Sequence, residues 1–229
     1  MKVIAIIPAR GGSKSIPLKN IKTLCGKPLL EYTIETSLQA DSVDRIVVTT
    51  DHEGIAGIAR KFKIDVIIRP PELATDEVPT ELALLHVLDE LWISEKYEPD
   101  IVLTLEPTSP FRTPDTIDKC IDIFVRTDAD SVIGVVETRD CYGRIINNHF
   151  KYLFPGQPRR RQDRDPLFKE SSTIWGTRVE VLKKKRSVLG DRLYPLIIPK
   201  KEAIDINNSF DLQLSEALMA RIRKNEKQL

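Results

Sequence analysis

The chain has 229 residues, and its 35 lysines and arginines nearly balance its 34 aspartates and glutamates. That length allows one large domain with a well-filled core, while the balanced charge supplies no global field for nucleic acid or a membrane surface. No apolar run approaches the roughly 20 residues that a membrane span needs. Lys2 to Ile7 is a short β-branched run and predicts a strand buried on both faces. Pro8 ends it, and a loop follows that holds Arg10, Gly11, Gly12, Ser13, Lys14 and Lys19. The two glycines free the backbone to turn successive N–H groups into one concavity, an anion nest, and three cations surround it. Such a loop suits a polyphosphate. It has the spacing of neither a P-loop nor a GxGxxG turn.

The pattern A-R-G-G-S-K-x-x-P-x-K-N resembles the signature loop of the CMP-sialic acid synthetases, or acylneuraminate cytidylyltransferases. Arg10, Ser13, Lys14, Pro17, Lys19 and Asn20 carry the likeness. The variant loop of the CMP-Kdo synthetases, G-S-T-R-L-P-G-K-P, is not matched. The resemblance implies a Rossmann-like α/β nucleotidyltransferase, a three-layer sandwich on a mostly parallel sheet. It also implies an enzyme that joins CMP from CTP to an acidic α-keto sugar, with Mg²⁺ as cofactor. Ala9, Arg10, Gly11, Gly12, Ser13 and Asn20 would then meet the nucleotide. Arg10, Lys14 and Lys19 would be catalytic, neutralising the phosphates.

Pro28 to Leu38 has the spacing of a helix, and Arg45 to Thr50 that of a second buried strand. Asp51 stands either at a ligand crevice beyond the strand or as a cap on the next helix, Glu53 to Phe62. Asp65 to Ile68 is a third strand, and this alternation calls for a parallel sheet covered by helices on both faces. Arg69 to Thr80 is a proline-rich loop leading into a helix with Leu84, Leu85, Leu88 and Leu91 in register. The family carries R-P-x-E-L-A-x-D here, which implies that Arg69, Asp76 and Thr80 face the nucleotide.

Asp100 to Leu105 is a fourth strand, and Thr113-Pro114 opens a helix with a hydroxyl N-cap and proline at N1. Between them the family reads L-Q-P-T-S-P-L-R, its glutamine touching the nucleotide. This chain has Glu106 there, a carboxylate that accepts but cannot donate. Asp130 to Val136 is a fifth strand. Alternation then breaks, and residues 137 to 172 read as an inserted excursion with hairpin strands, within a single domain spanning 1–229. The family's counterpart forms a dimer interface and lends basic residues to the sugar pocket. By that likeness Arg161 and Gln162 are sugar-binding, as are Ser171 and Ser172, which replace the family's Asn-Gly. Read without the likeness, the arginine run is a solvated basic face.

Val179 to Lys185 predicts a helix, Tyr194 to Ile198 a strand and Ser209 to Lys224 the closing helix. Before that last helix, alternation sets Asp205 and Asn207 on one face and Ile204 and Ile206 on the other. Two hard oxygen ligands at this spacing suit Mg²⁺, though a turn with an N-cap at Ser209 would use the same residues. The start lacks the apolar core of a secretory leader. Cys25, Cys120 and Cys141 are an odd count without CxxC, which predicts a reduced, cytoplasmic protein whose cysteines are small buried hydrophobes. The expected partners are CTP, an acidic sugar and a second copy of the chain, with no nucleic acid and no membrane. Legionaminate, pseudaminate or Kdo are the alternative sugars, and a non-catalytic nucleotide-binding protein is the alternative class.

Overall fold

The computed structural model describes residues 1–226. The chain runs β1 (Val3–Pro8), β2 (Thr23–Leu24), β3 (Lys27–Pro28), α1 (Leu29–Leu38), β4 (Arg45–Thr50), α2 (Glu53–Lys61) and β5 (Asp65–Ile68). It continues through α3 (Thr80–Glu95), β6 (Ile101–Thr104), α4 (Pro114–Arg126), β7 (Ser131–Thr138), β8 (Gly143–Ile146) and β9 (His149–Tyr152). The last elements are β10 (Leu167–Arg178), α5 (Val179–Lys185), β11 (Leu193–Ile197) and α6 (Ser209–Glu226). Seven strands form one sheet in the order β11-β7-β10-β6-β1-β4-β5. Only β10 runs antiparallel to its neighbours, β6 and β7.

Strand β1 shows why the sheet has two cores. Val3, Ala5 and Ile7 point to one face, where Leu30 and Ile34 of α1, Ile55 of α2 and Phe124 of α4 meet them. Ile4 and Ile6 point to the other, against Leu84, Leu88 and Leu91 of α3 and Leu182 of α5. An apolar strand without alternation is what a sheet covered on both faces requires. Each of these isoleucines is fully buried, worth about 1.5–3 kcal/mol of transfer free energy apiece. The result is the three-layer arrangement. Among the described residues, no helix is long and apolar enough to cross a membrane.

Chain order reverses at β1, with β4 on one side and β6 on the other. The loops leaving the carboxyl ends of β1 and β6 therefore diverge and open a crevice at the sheet's edge, the switch point where open α/β sheets take ligands. A third apolar cluster joins Ile16 of the first loop to Phe111, Ile206 and Met219, so α6 buttresses the crevice from outside.

The excursion is built from a ribbon and a hairpin. β7 and the first part of β10 pair from Val135–Glu170 to Thr138–Leu167, and β8 and β9 form a separate two-stranded sheet. Asn147 and Asn148, both at positive φ, make the tight turn between them. The pairing of β10 with β7 slips between Glu170 and Trp175, a bulge that carries Ser171, Ser172 and Thr173. Of the cysteines only Cys120 is buried; Cys25 is half-buried and Cys141 exposed, so burial does not account for all three.

Candidate active site

At the switch point lies a cleft of about 470 Å³. Its walls come from three loops. The loop after β1 contributes Arg10, Gly12, Ser13, Lys14, Lys19 and Asn20; the loop after β5 contributes Arg69, Asp76 and Thr80; the loop after β6 contributes Glu106 and Thr108. Of the residues expected to meet the nucleotide, two stand outside it. Ala9 is buried in the core with its N–H donated to the Thr49 carbonyl at 3.0 Å. Gly11 packs against His52, where a Cβ would approach the ring at 2.9 Å, and its N–H donates to Asp51 Oδ1 at 2.8 Å.

That last bond corrects two expectations. Asp51 does not cap α2. His52 is the cap, its Nδ1 accepting from the Gly54 N–H at 3.1 Å, and Asp51 instead ties down the glycine turn. Nor is the loop an open anion nest, since neither Gly11 nor Gly12 has a positive φ and one of the two N–H groups is already taken. Side-chain cations are what the loop offers.

Those cations are not equivalent. Asp76 bridges Arg10 and Lys14, the second at 2.8 Å, and the pairing with Lys14, then Arg10, holds its carboxyl below the usual range. Lys19 makes no such ion pair among the described residues. Asn20 positions the loop by donating from Nδ2 to the Arg10 carbonyl at 2.9 Å. Arg69 is buried, donates from Nη2 to the Thr49 carbonyl at 2.6 Å, and leaves Nε without a partner. Burial pushes its pKa down to about 10, with Arg10 adding to the fall and Asp51 opposing it. Arg69 thus stands at a cleft wall with one N–H unpaired among the described residues.

On the far wall, burial raises the carboxyl pKa of Glu106, and Asp205 raises it further, against Lys19 and Arg112. Arg112, whose role the sequence did not suggest, is buried behind it. It donates from Nη2 to the Glu106 carbonyl at 2.9 Å, from Nε to the Thr173 carbonyl at 2.5 Å, and from Nη1 to Thr33 Oγ1 at 3.2 Å. One side chain thus joins the loop after β6, the β10 bulge and α1. The terminal arginine of T-S-P-F-R was visible, but nothing local marked it as buried.

The residues expected at the sugar do not converge on this cleft. Arg161 and Gln162 line a second one, of about 450 Å³, with Glu137, Thr138, Arg139 and Lys200. Ser171 is buried and its hydroxyl pairs with Thr173 Oγ1 at 2.8 Å, so it props the bulge instead of facing a ligand. Ser172 reaches Ser109, Oγ to Oγ, at 3.4 Å. Asp205 Oδ2 accepts from Asn207 Nδ2 at 2.7 Å, while Asp205 Oδ1 is buried without a partner among the described residues. Ile206 between them is wholly buried, as alternation predicted.

The cytidylyltransferase family model matches residues 4–173, from β1 through the bulge. The chain belongs to the cytidylyltransferase family. It is 33% identical to the CMP-N,N'-diacetyllegionaminic acid synthase of Legionella pneumophila, over 96% of this chain and 97% of that protein. It is 29% identical to the N-acylneuraminate cytidylyltransferase of Escherichia coli over all of this chain, which spans 54% of that protein's length. Among solved structures, a CMP:2-keto-3-deoxy-manno-octonic acid synthetase in complex with CTP has a TM-score of 0.71 at 18% identity, covering 96% of this chain and 99% of that one. The 4-diphosphocytidyl-2C-methyl-D-erythritol synthase of Anaerococcus prevotii has a TM-score of 0.69 at 16% identity, with 96% of each chain covered. At those identities the two structures speak to the fold, and the fold is theirs. This cytidylyltransferase is an enzyme of nucleotidyl transfer.

Proposed function

We propose that this cytidylyltransferase joins CMP from CTP to an acidic nonulosonic sugar, with N,N'-diacetyllegionaminic acid the first candidate. The observation that carries this is the switch-point cleft, where Arg10, Lys14, Lys19 and the buried Arg69 gather on the walls of one cavity. Three side-chain cations suit a triphosphate, and Arg69 with Thr80 suits the nucleoside end. The choice of sugar is supported by the full-length likeness to the Legionella synthase.

The sugar's anomeric hydroxyl attacks the α-phosphorus in line, its proton is lost, and pyrophosphate departs with the β- and γ-phosphates. Chemistry of this kind needs positioning and charge neutralisation more than covalent help from the protein. Lys19 meets the charge that builds on the departing pyrophosphate. Arg10 and Lys14 exchange Asp76 for phosphate oxygens as CTP enters. The donor set also fits Mg²⁺: the orphaned, buried Asp205 Oδ1 is a hard oxygen without a partner, and Asn207 stands beside it. When bound there, Mg²⁺ would neutralise phosphate charge and acidify the sugar hydroxyl.

We further propose that the enzyme is a cytoplasmic homodimer, its excursion docked on the partner so that Arg161 and Gln162 serve a sugar. The apolar surface of the excursion supports this: Ile145, Phe150, Tyr152, Phe154 and Phe168 are all exposed in the single chain. Incubating the enzyme with CTP, Mg²⁺ and each of legionaminate, pseudaminate, N-acetylneuraminate and Kdo, with product masses read directly, tests the substrate. A CMP-legionaminate mass is expected. A CMP conjugate formed only with Kdo would overturn the choice of sugar.

A further inference from the structure

Asp205 has one oxygen engaged and one bare. Oδ2 accepts from Asn207 at 2.7 Å, and the buried Oδ1 has no partner among the described residues. The segment is fixed where it stands, because Ile206 is wholly buried and its N–H donates to the Thr108 carbonyl at 2.9 Å. That bond docks it on the loop after β6, two residues from Glu106. The main chain of Glu106 is equally fixed, its carbonyl accepting from Arg112 at 2.9 Å and Thr33 at 3.3 Å. Its carboxylate is not. Among the described residues its one hydrogen bond is a long one, from Thr108 Oγ1 at 3.5 Å.

Glu106 lines the cleft, and the bond from Ile206 to Thr108 docks the Asp205 segment against the same loop, so an acid with a bare oxygen adjoins the cleft's own carboxylate. Neither has a paired cation among the described residues. Lys19 and the buried Arg112 are the positive charges that act on Glu106, and the polyphosphate competes for Lys19. Asn207 brings no charge, and its amide nitrogen is turned toward Asp205 to hold that carboxylate in orientation, the usual task of a residue behind a metal ligand. A divalent cation beside a triphosphate takes one or two carboxylates from the protein. Asp205 supplies only one.

We propose that Glu106 is the second anionic ligand of the cation received by Asp205, and that Asn207 is a positioning residue acting through Asp205. This rests on the CTP- and Mg²⁺-dependent reading above and assigns a ligand that the sequence did not suggest. It also gives the carboxylate at 106 a task other than base contact.

The test uses Mn²⁺ as the probe, with the full-length enzyme and CTP present and the sugar omitted, so that nothing turns over. Free Mn²⁺ is read from its electron paramagnetic resonance signal. Glu106→Gln, nearly identical in shape, should weaken Mn²⁺ in the enzyme–CTP complex by about tenfold or more, in the range for disturbing a metal's ligand shell. The double variant Glu106→Gln with Asn207→Asp returns a carboxylate to the same site and should recover much of the loss, which also guards against a folding defect. Glu106→Gln binding Mn²⁺ as tightly as the wild type, or more tightly, would overturn the assignment of Glu106 alone. A wild type that takes up no Mn²⁺ beyond what CTP itself binds would overturn both this assignment and the metal-dependent reading beneath it.

Discussion

At the scale of single residues, the cleft separates cations that are held from one that is free to respond. Asp76 neutralises Arg10 and Lys14, leaving Lys19 to meet new charge as pyrophosphate departs. Interactions made only in the transition state raise turnover without tightening ground-state binding. Lys19→Ala should therefore cost about 2–4 kcal/mol of barrier at saturating CTP, while CMP affinity measured by calorimetry stays close to wild type. Unchanged turnover would remove Lys19 from the chemistry. Arg112 acts differently, as a buried clip. Arg112→Met would strand three acceptors and should lower the unfolding free energy by about 3 kcal/mol, read from denaturant midpoints. This residue also shows where the sequence stopped informing. Arg10, Lys14, Lys19, Arg69, Asp76 and Thr80 were legible because a loop motif keeps its spacing in one dimension. The three partners of Arg112 lie 6, 61 and 79 residues away, and no local pattern records such contacts.

At the scale of elements, most strands and helices followed from periodicity, since a fully covered sheet demands apolar runs and amphipathic helices between them. β4, β5 and α5 came out with the bounds expected from sequence. The excursion did not resolve in advance beyond "hairpin strands", although Asn147-Asn148 is a turn signal with a mechanism, two residues that tolerate positive φ. Replacing residues 140–165 with a short turn should leave the main sheet intact and yield a monomer by light scattering. A dimer of unchanged affinity would move the interface elsewhere. The joint between β7 and β11 makes a second prediction. Asp130, at the start of β7, accepts from Arg192 Nε and from the N–H groups of Asp191 and Arg192, each at 3.1 Å. The Arg192 guanidinium, more than any other group, pulls its pKa from 3.8 down to about 2. A carboxyl depressed on folding stabilises the protein above its unfolded value and loses that effect as pH falls through the folded one. Asp130→Asn should therefore be less stable than wild type at neutral pH, and the gap between their urea midpoints should close between pH 3.8 and about 2. A gap independent of pH would show that the carboxylate's charge is not what holds the joint.

At the scale of the whole molecule, the sheet order explains why residues from three separate loops meet. Reversal of strand order at β1 opens the crevice above the two cores, and α6 with the segment before it closes its side through Met219 and Ile206. The sequence carried the fold class because pattern and motif agreed. It did not carry the separation of the two clefts, since which loops converge depends on strand order, and Arg161 and Gln162 line a different cavity from Lys19. On the proposed function, the cleft transfers a cytidylyl group to a sugar. The most direct measurement is sugar-dependent release of pyrophosphate from CTP, run beside ATP, GTP and UTP with legionaminate as acceptor. One pyrophosphate per CMP-sugar, with CTP strongly preferred, is the predicted result; pyrophosphate released at the same rate without any sugar, or equally from all four nucleotides, would contradict it.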